Sequence, residues 1–260
     1  MLLRPKSELG TLVGAPGETL QETLYRTLLE MILFGFFDRG ARLYPQQLAG
    51  HFDVSLTPVR EALMRLATEG YIEAIPRRGF HVRVPTAKQI VDLWQARLGL
   101  ELTAGELLID RLIAGEINDD ALAPVLHIQA ELDRDSPGMT HHRHTQLNGD
   151  FHQQIVALSG NALIVSIYDG IQLQLLGAWV ARGLDSWRDR FRLEGRDHHN
   201  LIKAIRKRDH QLFAKTMREH VGRSLSGALA DLQQQLAADQ ANDDRRGQGQ
   251  VREDLADENT

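Results

Sequence analysis

The hydrophobic period of this chain changes at Gly70, from helical to alternating, and few folds accommodate that change. Before Gly70, apolar residues recur at helical spacing. They are Leu20, Leu24, Leu28, Met31 and Ile32 within 19–36, then Val59, Ala62, Leu63, Leu66 and Ala67 within 56–69. A short helix over 45–52 lies between them, bounded by turns at Asp38-Arg-Gly-Ala-Arg42 and Phe52-Asp-Val-Ser55. Ser55 is a good N-cap. Pro58 sits in the first turn of the third helix, where its missing N–H has no intrahelical partner to lose. After Gly70, Phe80, Val82 and Val84 alternate with His81 and Arg83, and Ile75-Pro-Arg-Arg-Gly79 supplies a turn. The pattern predicts three helices and a β-hairpin, a winged helix-turn-helix over 18–85.

The third helix has two faces. Val59, Ala62, Leu63, Leu66 and Ala67 form the stripe expected to pack on the first helix, while Thr57, Arg60, Glu61 and Met64 face away. A solvent face whose first turn carries Ser, Thr and Arg suits DNA, because hydroxyls and helix N–H groups bind phosphate and Arg forks onto guanine. Arg77 and Arg78 at the hairpin tip are placed to reach phosphate or the minor groove. An isolated Arg60 would read more simply as a solvated residue; the order of elements favours the DNA reading.

A net charge of −5 over 260 residues argues at first against nucleic acid, but the acidity is uneven. Residues 19–85 carry eight Arg against seven acids, while 239–260 carry seven acids against three Arg. A basic face is therefore compatible with the sum. Cysteine is absent, which excludes disulfides, thiolate nucleophiles and Cys-based zinc fingers. No apolar run approaches the ~20 residues of a membrane span. The first residues lack the pattern of a signal peptide. The expected setting is cytoplasmic, with no membrane partner.

From Thr86 to about Gln240 the pattern is helical throughout, over 87–114, 117–134, 143–158, 162–182, 186–207 and 210–238. The fold class expected is mostly α: a winged helix-turn-helix followed by an all-α bundle over 86–240. Residues 1–17, rich in Gly and Pro, read as a flexible arm, and 241–260 as a disordered acidic tail.

The block Val54-Ser-x-Thr-Pro-Val-Arg-Glu-Ala-Leu63, followed by Leu66, Glu69-Gly70 and Arg78-Gly79, resembles the DNA-binding domain of GntR-family bacterial transcription regulators. The resemblance implies DNA contacts from Ser55, Thr57, Arg60, Arg78 and Gly79. Leu56 and Gln46 depart from it, standing where the family often carries a basic or polar residue. The helical part resembles the FCD ligand-sensing domain of the FadR-like branch, through Asn148-x-x-Phe-His152, Ser159-Gly-Asn161, His198, Ala204-Ile-x-x-x-Asp209 and Met217-x-x-His220. That likeness implies a divalent metal held by Asn148, His152, His198 and His220.

Geometry leads to the same four residues. Asn148 and His152 are one helical turn apart on one face. His198 and His220 each lie eleven residues from Asp209, a helix N-cap after a break. An antiparallel hairpin turning there brings them level. Three imidazoles and one oxygen suit Zn²⁺ or Ni²⁺. Free imidazole titrates near ~6.5, so release below about pH 6 is expected. His199 points about 100° away from His198. The cluster His141-His-Arg-His144 reads as a partly exposed loop end rather than a second site.

Arg97 and Glu101 are also one turn apart, on a helix lined by Ile90, Leu93, Trp94, Leu100 and Ala104. Either they grip a carboxylate effector beside the metal, Arg97 in bidentate fashion, or they form an intrahelical ion pair; the sequence leaves both open. The function expected is a DNA-binding transcription regulator, not an enzyme, acting as a homodimer on a palindromic operator. A small carboxylate metabolite at the metal site would control operator affinity. A metal-dependent hydrolase is the alternative, weakened by the absence of a recognisable general base.

Overall fold

The computed structural model describes Leu12 and residues 17–33, 36–37, 40–134, 141–179 and 187–257. The expected arm over 1–17 lies almost wholly outside the described residues, as does the break at Ser136-Pro-Gly138.

The N-terminal unit runs α1 (Leu20–Leu33), β1 (Arg42–Leu43), α2 (Pro45–Phe52), α3 (Leu56–Thr68), β2 (Ile72–Ile75) and β3 (Gly79–Val82). Pro45 opens α2, and Asp53, at φ 54°, turns the chain into α3 with Val54 N–H bonded to Ala49 O. Ser55 has the extended backbone of an N-cap, but its side chain makes no capping hydrogen bond. Val59, Ala62, Leu63 and Leu66 are buried with Leu24, Leu28 and Met31 of α1, as the apolar stripe requires. β1 was not legible as a strand, since two residues cannot display alternation. It pairs Arg42 with His81 and Leu43 with Phe80, so β3 is the centre of a three-stranded antiparallel sheet in the order β1-β3-β2.

Helix α4 (Ala87–Ile113) starts in a capping box, with Thr86 Oγ1 accepting from Gln89 N–H and Gln89 Oε1 accepting from Thr86 N–H. A 3₁₀ turn (Asp119–Leu122) precedes α5 (Ala123–Leu132), where one continuous helix was expected. Asn118 caps the turn, and Pro124 at the start of α5 makes that break natural. The bundle continues with α6 (His141–Ala157), α7 (Ala162–Trp179), α8 (Trp187–Arg206) and α9 (His210–Asp257). Helix α9 runs to Asp257, correcting the expectation of a disordered tail from 241. Low apolar content measured burial there, whereas the segment contains no proline to stop a helix.

Two turns position the helices that matter. Arg208, at φ 55°, ends α8 with Asp209 N–H bonded to Ala204 O, and Asp209 then caps α9 by accepting from Leu212 N–H at 2.9 Å. Ser159-Gly160-Asn161 links α6 to α7, with Asn161 Oδ1 accepting from Leu163 and Ile164 N–H. The core of this unit joins Ile90, Trp94 and Leu108 of α4 to Phe151 and Ile155 of α6, Leu201 and Ile205 of α8, and Phe213, Met217 and Val221 of α9. Among the described residues, no helix is long and apolar enough to cross a membrane.

Candidate functional site

Two sites emerge, one on the surface of the N-terminal unit and one inside the bundle. On the surface, Ser55, Thr57 and Arg60 are exposed along the outer face at the start of α3. Arg77 and Arg78 are exposed at the hairpin tip, and Gly79 follows them at φ 86°. Pro76 and Arg77 occupy the centre of a tight turn closed by Arg78 N–H to Ile75 O, and Arg77 takes the left-handed conformation at φ 64°.

The arginines of this unit divide into two groups. Arg26 pairs with Glu18 and Glu30, Arg65 with Glu22 and Glu69, and Arg83 with Glu73. Among the described residues no acid pairs with Arg60, Arg77 or Arg78. The net-negative chain thus keeps uncompensated cations on the helix face and hairpin tip that would meet a polyanion.

Inside the bundle, three histidines converge. His152 of α6, His198 of α8 and His220 of α9 are each at most 1% exposed, and their donor atoms lie within 4.8 Å of one another. The hairpin argument placed His198 and His220 correctly, with Asp209 at its turn. Each imidazole has an acceptor behind it. His152 Nδ1 is 2.9 Å from Glu101 Oε2, His198 Nδ1 donates to Gln129 Oε1 at 2.9 Å, and His220 Nδ1 is 3.4 Å from Asp197 Oδ2. The contacts to Gln129 and Asp197 favour the proton on Nδ1 of His198 and His220, and the Glu101 carboxylate at ion-pair distance favours the same tautomer of His152, which leaves Nε2 as the inward atom. Phe151 stacks on His198 at 3.9 Å between ring centroids.

The inward atoms fit a divalent transition metal. His152 Nε2 and His220 Nε2 are 3.1 Å apart, about the separation of two nitrogens on a common ion with ~2.1 Å bonds. His198 Nε2 and Asn148 Oδ1 are buried without a hydrogen-bond partner among the described residues. Orphaned buried polar atoms are rare and need an explanation. An ion accepted by three imidazoles and one amide oxygen supplies one. Burial holds His152 and His198 in the neutral, ligating form. It pushes His152 down to about 4 against the opposing pull of Glu101, and it pushes His198 well below the ordinary value, helped by neighbouring His152 and His220.

Arg97 and Glu101 form the intrahelical ion pair, Nε to Oε1 at 2.5 Å, both essentially buried. Tyr168 Oη donates to the same Oε1 at 2.5 Å. Burial would raise the Glu101 carboxyl, but Arg97 and His152 outweigh it and hold the group far below the usual range. Glu101 therefore stands behind His152, and its two oxygens face Arg97, Tyr168 and His152 rather than an anionic ligand. His199 is exposed and pairs with Asp133 at 3.1 Å, as its angular position implied. The expected loop end at His141–His144 is instead the first turn of α6, and His144 is buried there.

Sequence reasoning missed Gln129, Asp197 and Tyr168, and it gave Phe151 only as part of the motif before His152, without its stacking on His198. Gln129 touches its histidine across 69 positions, a separation that no periodicity encodes. Asp197 is the immediate neighbour of His198 yet serves His220.

Comparison with known proteins gives the family of each part of the chain. The pattern described as "Bacterial regulatory proteins, gntR family" matches residues 20–82, and the FCD domain matches 92–223. The Nta operon transcriptional regulator of Aminobacter aminovorans is 31% identical over 71% of this chain and 83% of its own. The gluconate operon transcriptional repressor of Bacillus licheniformis is 30% identical over 82% and 88%. The solved structure of Escherichia coli McbR/YncC has the same fold, with a TM-score of 0.67 at 21% identity, covering 84% of this chain and 99% of that one. These relatives are regulators and not enzymes, so the hydrolase alternative is not favoured. The exposed face of α3, the hairpin beside it and the helical domain behind them place this chain in the GntR family, as a DNA-binding transcription regulator of the FCD type.

Proposed function

We propose that this regulator binds a palindromic operator as a homodimer and that a small carboxylate, held at a divalent transition metal inside the bundle, controls its operator affinity. One observation carries the reading: three buried imidazoles converge with donor atoms within 4.8 Å of one another, and Asn148, one turn from His152 on the same helix, keeps a buried Oδ1 without a hydrogen-bond partner. Asn148, His152, His198 and His220 would hold the ion, with Zn²⁺ or Ni²⁺ suited to that donor set. The ion would supply a Lewis-acidic position for an oxygen ligand.

The protein's own residues do the rest. Glu101, Gln129 and Asp197 orient the imidazoles. Arg97, anchored on Glu101, would meet the far end of a carboxylate. The gluconate operon repressor is a relative whose name points to a sugar acid, which supports the same ligand class here. In the N-terminal unit, Arg60 reads bases from α3 while Ser55, Thr57, Arg77, Arg78 and Gly79 hold the phosphates and the minor groove.

Elemental analysis of protein purified without a chelator or a histidine tag is the direct test, paired with operator titrations across small carboxylic acids. About one equivalent of transition metal and an acid-dependent operator affinity are expected. Less than about a tenth of an equivalent, with no thermal shift on adding Zn²⁺ or Ni²⁺, overturns the metal reading.

A further inference from the structure

The outer face of the three-stranded sheet carries a further cation. Directly opposed residues on antiparallel strands project to the same side, so Arg42 of β1, His81 of β3 and Glu73 of β2 stand in one row. The opposite side of the sheet turns Leu43, Val82 and Ile72 into the core. Within the row the charges do not cancel. Glu73 pairs with Arg83 at 3.7 Å. His81 lies between two carbonyl oxygens, with Nδ1 3.3 Å from Gly40 O and Nε2 3.3 Å from Arg78 O. Arg42 is exposed, and among the described residues no acid pairs with it.

Arg42 is nonetheless held in place. Its guanidinium carbon stands 4.9 Å from the centroid of the Tyr44 ring, within the range of a cation–π contact. On its other flank is Gly79. A methyl group at 79 would lie 3.6 Å from Arg42 Nε and 3.8 Å from Nη2, so the guanidinium rests over bare backbone at the base of the hairpin tip. The side chain thus leans along the sheet toward Arg77 and Arg78, whose turn ends at Gly79. A planar fork already ordered by a ring and a backbone gives up less freedom on meeting a phosphate than a freely moving side chain does.

We propose that Arg42 is a further DNA contact of this regulator, a phosphate clamp carried by β1 beside the hairpin tip and held there by the Tyr44 ring. The proposal rests on the reading that the tip at Arg77 and Arg78 meets DNA. It extends the DNA-facing surface from the hairpin to the strand that precedes α2. Phosphate contacts fix register and carry no sequence information, so Arg42 acts alike on every DNA sequence.

The experiment titrates the full chain with a fluorescently labelled duplex of mixed sequence and reads anisotropy from about 50 to about 200 mM salt. Each phosphate contact adds about 0.9 to the slope of log affinity against log salt. Arg42→Gln keeps a long polar side chain without the charge. It should bind more weakly and lower the slope by about 0.9, so that its deficit against the parent shrinks about 3.5-fold across that range. Arg42→Lys should restore the slope. Arg78→Ala serves as the reference for the tip. An unchanged slope in Arg42→Gln, where Arg78→Ala lowers it, overturns this proposal and leaves the tip on DNA; slopes unmoved in both overturn the reading of the tip as well. Weaker binding with the parent's slope and a lowered melting temperature would make Arg42 a clip between β1 and Tyr44, which also overturns the proposal.

Discussion

Gly105 of α4 lies directly against the ring of Phe213 in α9: a methyl group at 105 would stand 2.0 Å from two of its ring carbons. Phe213 is fully buried in the first turn of α9, two turns before His220. Gly105 is therefore what lets α9 approach α4 closely enough to deliver His220 to the other imidazoles. Gly105→Ala should lower the melting temperature, since overpacking a core of this kind costs about 1–3 kcal/mol, and it should weaken Zn²⁺ binding at the same time. A variant with the parent's melting temperature would show that Phe213 yields without moving the helix.

Gln129→Leu removes the acceptor behind His198 while keeping an apolar volume on α5. His198 then loses the contact that fixes its Nδ1 proton. Outer partners of this type are worth ~10–100-fold in metal affinity, and a loss in that range is expected in chelator competition. An unchanged affinity would mean that stacking on Phe151 alone orients the ring.

The pH response follows from the direction of the shifts. His152 is pushed down to about 4 and His198 well below its ordinary value, so the folded protein takes up these protons later than the unfolded chain does. In metal-free protein, the stability due to these groups is full above about pH 6.5 and is lost progressively as pH falls toward 4. Bound metal should likewise persist below pH 6, because protons compete for the Nε2 atoms of His152 and His198 only near their depressed values. Unperturbed imidazoles, the premise available from sequence, put release higher. Metal content measured after dialysis at stepped pH checks this; half release above pH 6 would contradict it.

The exposed arginines should separate by role. Arg60→Ala should cost about 1–3 kcal/mol at the operator and relax discrimination among sequences. Arg78→Ala should weaken binding to all sequences alike and flatten the salt dependence. Fluorescence anisotropy over a range of salt concentrations reads both, and an Arg60→Ala variant as tight as its parent would remove α3 from the groove.

Truncation after residue 240 removes helical backbone beyond Leu232, the last buried apolar residue of the core among the described residues. The melting temperature should change by no more than a degree or two, as is usual for ends without buried partners. A large drop in a thermal scan would place part of 241–257 against the body.

What sequence revealed here was periodic or local. The stripe of Val59, Ala62, Leu63 and Leu66, the N-cap at Asp209 and the equal spacing of His198 and His220 about it all repeat on the scale of one or two helical turns. The outer partners of the histidines do not. Glu101 meets Tyr168 across 67 positions, and nothing in either residue's neighbours signals the pairing. The status of Arg97 and Glu101 turned on the same limit: their spacing allowed two uses, and only the packing of α4, α6 and α7 around them selected the buried pair. Burial of His144 was missed because the histidine run resembles a loop end, whereas α6 begins at its first residue.

The two-residue strand β1 has a consequence for how operators can differ. By pairing with β3, it ties the chain just before α2 to the same strand that carries the hairpin tip. The distance between the reading helix and the tip is thereby fixed like the span of a caliper. Under the proposed reading, a change in the sequence this chain recognises is expected from exchanging side chains at the two points of the caliper, at Leu56, Thr57 and Arg60 on one and Arg77 and Arg78 on the other, and not from opening or closing it.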